Sequence, residues 1–396
     1  MFVKILKLMT VIVLVSLFLK RPVHSLTWKD TTQIHGFASQ GLMLTSDNNF
    51  FGDSEDGSFD FRELGLNLSI RPTPDLQFSI QGLSRWAGEA NDGNLRLDYG
   101  FLDYSLIENE AGTLGLRIGR VKNPLGFYND TRDVAFTRPS ILLPQSIYFD
   151  RTRNLALSSD GVNIYTEYRK GFGNIFYDLE VGYPKVDNQE TELAFLGPNA
   201  AELGKLDPRI SYISRITFEP TGGRTRFSLS GALVNIKFKP ASMGTKEGNI
   251  RFRPLIFSAQ YNTEFWSLTS EYALRYSRFE DVGKPTFSIT GESYYLQWSY
   301  RFLDNLEALL RYDVLYQNRD DRSGDRFAAT SSAPNYSRFA KDWTMGLRWD
   351  ITSSWMSRIE YHYVDGTGWL PLLDNPRASE TNRYWHLFSI LISYRF

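Results

Sequence analysis

From residue 26 to the end of the chain, apolar side chains alternate with polar or small ones in segments of roughly nine to thirteen residues. A period of two indicates a β-strand with two different faces, because successive side chains of a strand point to opposite sides. The last segment places Phe388, Ile390, Ile392, Tyr394 and Phe396 on one face, and Ser389, Ser393 and Arg395 on the other. Nothing in this part of the chain has helical periodicity, so the sequence predicts an all-β protein.

The connections between the alternating segments have two lengths. The segments give about sixteen candidate strands, and seven connections that follow even-numbered strands are tight turns, such as residues 71–75 and 219–223. The connections that follow odd-numbered strands are longer and polar, including residues 45–58, 87–94 and 317–340. Long loops therefore collect at one end of the predicted structure and short turns at the other.

Alternation alone does not decide which face of each strand is wet, since a soluble β-sandwich shows it too. A transmembrane antiparallel β-barrel of the outer-membrane porin type has an even number of strands, with short turns at one end and long loops at the other. Such a closed barrel pairs every backbone group at bilayer depth. We therefore expect about 16 strands with their apolar faces toward lipid. The tryptophans that fit the interfacial girdles of such a barrel are Trp86, Trp266, Trp298, Trp343, Trp349 and Trp355.

The first 25 residues form a separate segment. Lys4 and Lys7 precede an apolar run from Leu8 to Leu19, and small residues end the segment near Ser25. The run is about 12 residues, shorter than the roughly 20 that a spanning helix needs. We predict a signal peptide at residues 1–25 and a single barrel at residues 26–396. Its removal takes four basic and no acidic residues and changes the formal charge from −1 to −5.

The composition excludes several classes of function. The chain has no cysteine, so disulfides, thiolate metal sites and cysteine nucleophiles are impossible. With 44 Lys and Arg against 45 Asp and Glu there is no basic excess for nucleic-acid binding. We expect no cofactor and no metal. The expected surroundings are outer-membrane lipid and lipopolysaccharide of a Gram-negative bacterium.

The connection at residues 121–159 is the longest, at about 40 residues, and it is rich in Ile, Leu, Phe and Tyr. We expect this segment to fold into the barrel and constrict its lumen; an external hairpin packed on neighbouring loops is the alternative. The predicted constriction residues, including two basic residues of the preceding strand, are Arg117, Arg120, Lys122, Arg132, Asp133, Arg138, Asp150, Arg151 and Arg153.

The charge of this loop predicts a preference for anions. Between Arg120 and Arg153 there are six basic residues and three acidic ones, and a positive ring at a constriction lowers the cost of holding an anion there. The alternative is that the loop charges pair as struts and that the opposed lumen walls give weak selectivity. Candidate residues of the lumen wall are Arg275, Arg311, Arg348, Arg358 and Glu360.

Two stretches resemble a known family. Residues 97–104, which read Leu-Asp-Tyr-Gly-Phe-Leu-Asp-Tyr, and residues 116–126, which include Gly119, Asn123 and Pro124, are similar to the strands and the start of the constriction loop in the phosphate-selective porin O and P family. The resemblance covers about 30 residues. It implies a trimeric sixteen-stranded channel for phosphate-like anions, and among the basic residues it carries over only Arg117, Arg120 and Lys122.

An enzymatic function is the competing hypothesis, because some outer-membrane barrels are hydrolases. After residue 25 the only histidines are His35, His362 and His386, and there is no G-x-S-x-G nucleophile elbow. The sequence therefore predicts a channel for passive diffusion of small hydrophilic solutes and not an enzyme. A barrel-borne hydrolase or binding protein and a weakly selective general porin stay as alternatives.

Overall fold

The computed structural model describes residues 31–242, 246–283 and 285–396; the predicted signal peptide at residues 1–25 lies outside them. The strands are β1 (Thr32–Thr45), β2 (Ser58–Thr73), β3 (Leu76–Ala87), β4 (Asp92–Asn109), β5 (Gly112–Lys122), β6 (Ser158–Lys170), β7 (Gly173–Pro184), β8 (Gly204–Pro208), β9 (Ser211–Pro220), β10 (Thr225–Pro240), β11 (Gly248–Asn262), β12 (Trp266–Glu280), β13 (Phe287–Leu303), β14 (Leu306–Tyr316), β15 (Phe339–Asp350), β16 (Trp355–Asp365) and β17 (Tyr384–Arg395).

These strands close into one barrel. Each strand pairs antiparallel with its neighbours, and β1 closes the ring by pairing with both β2 and β17. The segments β8 and β9 pair with different parts of β10, so together they form one interrupted strand of the barrel. The barrel therefore has sixteen strand positions, and the predicted fold class is confirmed.

The apolar faces of the strands point outward. Leu64 and Leu66 of β2 are 53% and 57% exposed, whereas Glu63 beside them is 0% exposed. The tryptophans predicted to form girdles are also exposed, for example Trp343 at 46% and Trp349 at 47%. A surface of this kind is stable in contact with hydrocarbon, because lipid does not penalise apolar side chains. The faces of the strands are thus oriented as the alternation predicted.

The seven predicted short turns are all present as tight connections, from Thr73–Leu76 to Asp350–Trp355. The long connections differ in one place. The connection predicted at residues 87–94 is itself a tight turn, because β3 ends at Ala87 and β4 begins at Asp92. Strand pairing needs backbone groups and not apolar side chains, so β4 extends beyond the alternating segment into polar residues.

Four of the remaining long connections, those after β5, β7, β14 and β16, carry short helical turns. These are Ala135–Thr137, Asp150–Thr152, Arg153–Leu157, Gln189–Leu196, Ala200–Leu203, Arg319–Asp321, Asp325–Ala328, Asn335–Arg338 and Ala378–Glu380. Among the described residues, none of these helices is long and apolar enough to cross a membrane.

Much of the barrel interior is filled, which differs from the wide aqueous lumen that the strand number predicts. One apolar cluster joins Phe50 and Phe61 to Ile141 of the longest loop and to Trp369 and Trp385. The long loops fold back over the inner wall, and apolar side chains of both are removed from water together. Half of the inner face of β17 is accordingly apolar.

A second apolar cluster lies toward the loop end of β8 to β12. It packs Leu155, Val186, Ile236 and Phe238 against Ile250. Polar cavities lie beside strands β2 to β7 and β9.

Candidate functional site

The longest connection crosses the barrel interior; we call residues 123–157 the inner loop. Strands from different sides of the barrel bind it. Glu360 of β16 accepts hydrogen bonds from the backbone N–H groups of Ile141 and Leu142, the latter at 3.2 Å. Glu271 of β12 accepts from the N–H of Phe127 at 2.9 Å. These contacts with β12 and β16 fix the inner loop inside the barrel.

The start of the inner loop depends on a glycine. Gly126 has φ +59°, a left-handed conformation that glycine adopts without steric cost. A Cβ atom there would lie 2.5 Å from the hydroxyl of Tyr148, and the N–H of Gly126 donates to Ser230 Oγ at 2.8 Å. The chain therefore approaches the wall of β10 and β12 more closely than any other residue would permit.

Two polar cavities remain beside the inner loop. The turn-side cavity, of about 620 Å³, is lined by Ser79, Tyr99, Arg117, Lys122 and Thr131 among others. The loop-side cavity, of about 480 Å³, is lined by residues that include Arg96, Asp98, Arg120, Arg153 and Lys185. A solute crossing the barrel on this side would pass from one cavity to the other.

Four charged side chains, Asp98, Lys122, Asp133 and Arg153, pair with one another beside the two cavities; we call them the ion-pair network. Lys122 Nζ contacts the carboxylates of Asp98 and Asp133, and Arg153 contacts Asp133 as well. Lys122 lines the turn-side cavity, and Asp98 and Arg153 line the loop-side cavity. The network therefore connects residues of the two linings through ion pairs between side chains.

A β-bulge brings Asp98 into this network. Tyr99 pairs with Gln81 and Leu97 with Gly82, so Asp98 is the extra residue between them. Consequently Asp98, at 3% exposure, and Tyr99, which lines the turn-side cavity, both lie on the inner side of the wall. Strict alternation would place only one of these neighbours inside.

Asp133 is the member of the network that belongs to the inner loop. Its burial acts to raise its pKa, but the charges of Lys122 and Arg153 outweigh that effect and hold the pKa well below its ordinary value. A depressed carboxyl pKa stabilises the fold above the unfolded pKa, and this contribution is lost as the pH falls toward the folded pKa.

We therefore expect the unfolding free energy to decrease as the pH is lowered through about 4, and the variant Asp133→Asn to show a smaller decrease. The measurement is chemical unfolding in detergent at a series of pH values. Glu167→Gln is the matched control, because Glu167 pairs with Arg169 at the turn end. An identical acid response in Asp133→Asn and the unaltered protein would contradict the assignment.

The predicted constriction residues Arg132, Arg138 and Asp150 are not in the lining of either large cavity. Arg138 Nη2 lies 2.8 Å from Glu63 Oε2, and Arg132 Nη2 lies 3.8 Å from Asp150 Oδ1. Arg85 of β3 joins the two groups, at 3.4 Å from Glu63 and 3.2 Å from Asp150. The residues thus form a buried charge cluster and not a ring that faces water.

Burial shifts the titration of this cluster. It lowers the pKa of Arg132 to about 9, with the nearby charge of Arg153 acting in the same direction. Burial raises the pKa of Asp150, but the charges of Arg85, Arg132 and Arg153 outweigh it and keep that pKa below its ordinary value. Arg151 lies apart, where its Nε donates to the carbonyl of Leu370 at 2.5 Å.

Among the predicted wall residues, Arg311 and Arg358 hold the inner loop. Both are 1% exposed; Arg311 donates to Ser140 Oγ at 2.9 Å, and Arg358 donates to the carbonyl of Ser140 at 3.0 Å. Arg275 donates to the carbonyl of Ser146, and Arg348 pairs with Asp350 at 2.9 Å. None of these four, nor Glu360, lines either large cavity.

The loop-side cavity has a basic lining. Its lining contains the bases Arg85, Arg96, Arg120, Arg153 and Lys185 and the acids Asp98 and Asp187. Two of the bases also pair with carboxylates outside the lining, Arg96 with Asp92 and Arg120 with Asp160. The turn-side cavity is balanced instead, with the bases Arg117, Lys122 and Arg215 against Asp130, Asp178 and Glu167. The two cavities therefore present different electrostatic surfaces to a solute.

Aromatic side chains accompany the charges of the turn-side cavity. The guanidinium of Arg117 lies 4.1 Å from the ring centre of Tyr165 and 2.9 Å from Asp103, and Tyr99 and Phe101 lie beside it. Arg117 and Lys122 are thus among the sequence-predicted residues that reach a cavity, together with Arg120 and Arg153. The sequence analysis missed Asp98, Arg85 and Glu63.

One histidine has partners that resemble a catalytic arrangement. His362 Nδ1 lies 2.8 Å from Asp342 and 3.1 Å from the hydroxyl of Thr344. His362 is 1% exposed and Thr344 is 0% exposed, so no substrate reaches either group. His386 instead hydrogen-bonds the hydroxyl of Tyr361, at 2.7 Å. Among the described residues, no group of three or more His, Asp or Glu side chains is placed to hold a metal ion.

Comparisons with known proteins find similarity in structure alone. No family model and no curated protein matches the sequence. The outer membrane channel DcaP of Acinetobacter baumannii superposes with a TM-score of 0.59 at 12% identity, over 92% of this chain and 97% of that chain. OmpF of Salmonella typhi gives 0.58 at 13% identity, over 93% and 99%. An anion-selective porin from Comamonas acidovorans gives 0.55 at 12% identity, over 92% and 99%.

At these identities the similarity shows the fold. The chain has the fold of outer-membrane porins, and solved porins cover nearly all of its length. The finer resemblance to the phosphate-selective porin O and P family stays a prediction.

Proposed function

We propose that this protein is an outer-membrane channel through which small hydrophilic solutes diffuse passively. The observation that carries the proposal is the pair of polar cavities beside the inner loop, joined at the ion-pair network of Asp98, Lys122, Asp133 and Arg153. Charged and hydroxyl groups line both cavities, so a hydrated solute keeps hydrogen-bond partners along the way. The network sets the size limit, because its side chains fill the passage between the cavities.

We further propose a modest preference for anions that arises in the loop-side cavity. Five basic and two acidic side chains line it, and a surplus of one sign in a confined space raises the local concentration of the opposite ion. This differs from the origin that the sequence suggested, since Arg132 and Arg138 line neither cavity. The balanced turn-side cavity and the paired inner-loop charges keep the preference small.

Bilayer recording under a KCl gradient tests this proposal. The reversal potential of the unaltered channel is expected to lie on the chloride side of zero. The double variant Arg96→Gln, Lys185→Gln removes two positive charges from the loop-side lining and is expected to shift the reversal potential toward potassium. Arg96 suits this test because its side chain is 46% exposed, so that its replacement leaves the fold intact.

The matched control is Arg377→Gln. Arg377 is also an exposed arginine with a carboxylate partner, Glu380, but it lines neither cavity. Its reversal potential is expected to equal that of the unaltered channel. An equal shift in both variants would assign selectivity to the general surface charge, and no current at all would refute the channel.

The same proposal covers location and assembly. A barrel with an exposed apolar girdle belongs in a membrane, and we propose the outer membrane of a Gram-negative bacterium, with lipid and lipopolysaccharide around it. We propose a homotrimer on the basis of the family resemblance.

We also propose that the protein is not an enzyme, which the burial of His362 supports. Phosphate as the physiological solute is less favoured, because Arg117 and Lys122 already pair with Asp103 and Asp98.

A further inference from the structure

The buried charge cluster, taken together with the ion-pair network that it contacts through Arg153, has an excess of positive charge. Ion pairs of 4.0 Å or less join it into one group, and its side chains are at most 13% exposed. The bases are Arg85, Lys122, Arg132, Arg138 and Arg153, and the acids are Glu63, Asp98, Asp133 and Asp150. Five bases against four acids leave one positive charge without a counter-charge inside the cluster.

Several guanidinium donors of this cluster also lack acceptors. Within the described chain, Arg132 Nε, Arg132 Nη1 and Arg138 Nε are buried and have no hydrogen-bond partner. Arg85 Nε makes no hydrogen bond either, but it lies 3.4 Å from Glu63 Oε1 in an ion pair. A donor that loses its hydrogen bond to water on burial and gains no other acceptor destabilises the fold, and an unpaired buried charge destabilises it more. Other nitrogens of these side chains are bonded; Arg132 Nη2, for example, donates to the carbonyl of Tyr148 at 2.8 Å.

The three arginines with unused donors meet at one place. Arg85, Arg132 and Arg138, together with Arg153 and Asp150, line a cavity of about 10 Å³, close to the smallest volume that holds one water molecule. Four of its charged lining side chains are guanidinium groups and one is a carboxylate. The ring centre of Phe61 lies 5.7 Å from the guanidinium of Arg85 and 5.9 Å from that of Arg138. The face of the ring stabilises these positive charges, but it is not a hydrogen-bond acceptor for the N–H groups in the guanidinium plane.

We propose that this cavity is a binding site for a small monatomic anion such as chloride. The anion would accept hydrogen bonds from the guanidinium groups of Arg85, Arg132 and Arg138 and would neutralise the excess charge of the cluster. It is structural and not a permeating ion, because the surrounding side chains are buried between the inner loop and strands β2 and β3. Its role is to hold the inner loop against that wall.

Crystals of the mature protein in detergent, grown in sodium bromide, test the site directly. An anomalous difference peak of bromide is expected within hydrogen-bonding distance of Arg132 and of at least one of Arg85 and Arg138. A well-ordered cluster without an anomalous peak there, with or without a water molecule, would overturn the proposal. This test involves no current, so it is independent of whether the barrel conducts.

Thermal unfolding gives a second test in solution. The unfolding temperature of the unaltered protein is expected to rise saturably with sodium chloride, relative to sodium gluconate at the same ionic strength. Arg132→Gln makes the cluster neutral and is expected to abolish the chloride-specific rise. The matched control Arg151→Gln, at an inner-loop arginine bonded to the carbonyl of Leu370, is expected to retain it. A rise that is equal in Arg132→Gln and Arg151→Gln would contradict the site, and if Arg132→Gln fails to fold, the bromide crystals of the unaltered protein decide.

Discussion

Excision of residues 124–156 is expected to raise the single-channel conductance several-fold. The inner loop supplies Ile141 and Leu142 to one apolar cluster, Leu155 to the other, and both Asp133 and Arg153 to the ion-pair network. Its removal would leave the wide lumen that sixteen strands enclose. The two chain ends already meet, because the N–H of Asn123 donates to the carbonyl of Leu157 at 3.1 Å, so a Gly-Gly turn can join them.

A comparable excision elsewhere serves as the control. The ends of the connection between β14 and β15 also meet, since the N–H of Gln317 donates to the carbonyl of Arg338 at 2.9 Å. Residues 319–336 line neither large cavity. Their removal is expected to leave the conductance nearly unchanged in planar-bilayer recordings. A conductance unaffected by loss of the inner loop would show that the solute path lies elsewhere.

Glu271→Ala is expected to produce the largest loss of stability among single substitutions, about 3–5 kcal/mol. Glu271 is 1% exposed and accepts hydrogen bonds from four groups of the wall and the inner loop. The donors are the N–H of Phe127 and the hydroxyls of Tyr148, Ser258 and Tyr295, at 2.6–3.0 Å. The substitution leaves these buried donors without their acceptor.

Unfolding of the purified protein in detergent, followed by tryptophan fluorescence, measures this loss. Glu167→Ala is the control, because Glu167 pairs with Arg169 in water-exposed surroundings and such pairs contribute about 0–1 kcal/mol. Equal losses in the two variants would mean that Glu271 does not anchor the inner loop.

The barrel could be predicted from the sequence because lipid imposes a local rule on every strand. Leu64 and Leu66 face outward and Glu63 faces inward, as a period of two requires. The interior obeys no such rule. Leu387 and Leu391 are inward and 0% exposed because Trp369 and other loop residues cover them, which only the tertiary structure decides.

The candidate site was predictable in part. The inner loop was identifiable from its length and its apolar residues, and Lys122, Asp133 and Arg153 of the predicted set do come together. Asp98 was missed because a β-bulge places two successive residues on the inner side, which breaks the alternation. The partner of Arg138 could not be foreseen, since Glu63 comes from β2, distant in sequence. Arg85 of β3, which joins Glu63 to Asp150, could not be foreseen for the same reason.

The central claim is that the outer faces of the strands meet lipid and that water reaches the residues beside the inner loop. The chain has no cysteine, so single cysteines report accessibility without interference. Thr131→Cys lies in the turn-side cavity and Leu66→Cys lies on the outer face, where Leu66 is 57% exposed. In lipid vesicles, a charged water-soluble thiol reagent is expected to modify Thr131→Cys and reduce its current while leaving Leu66→Cys unmodified; rapid modification of Leu66→Cys with no reaction at Thr131→Cys would contradict the account.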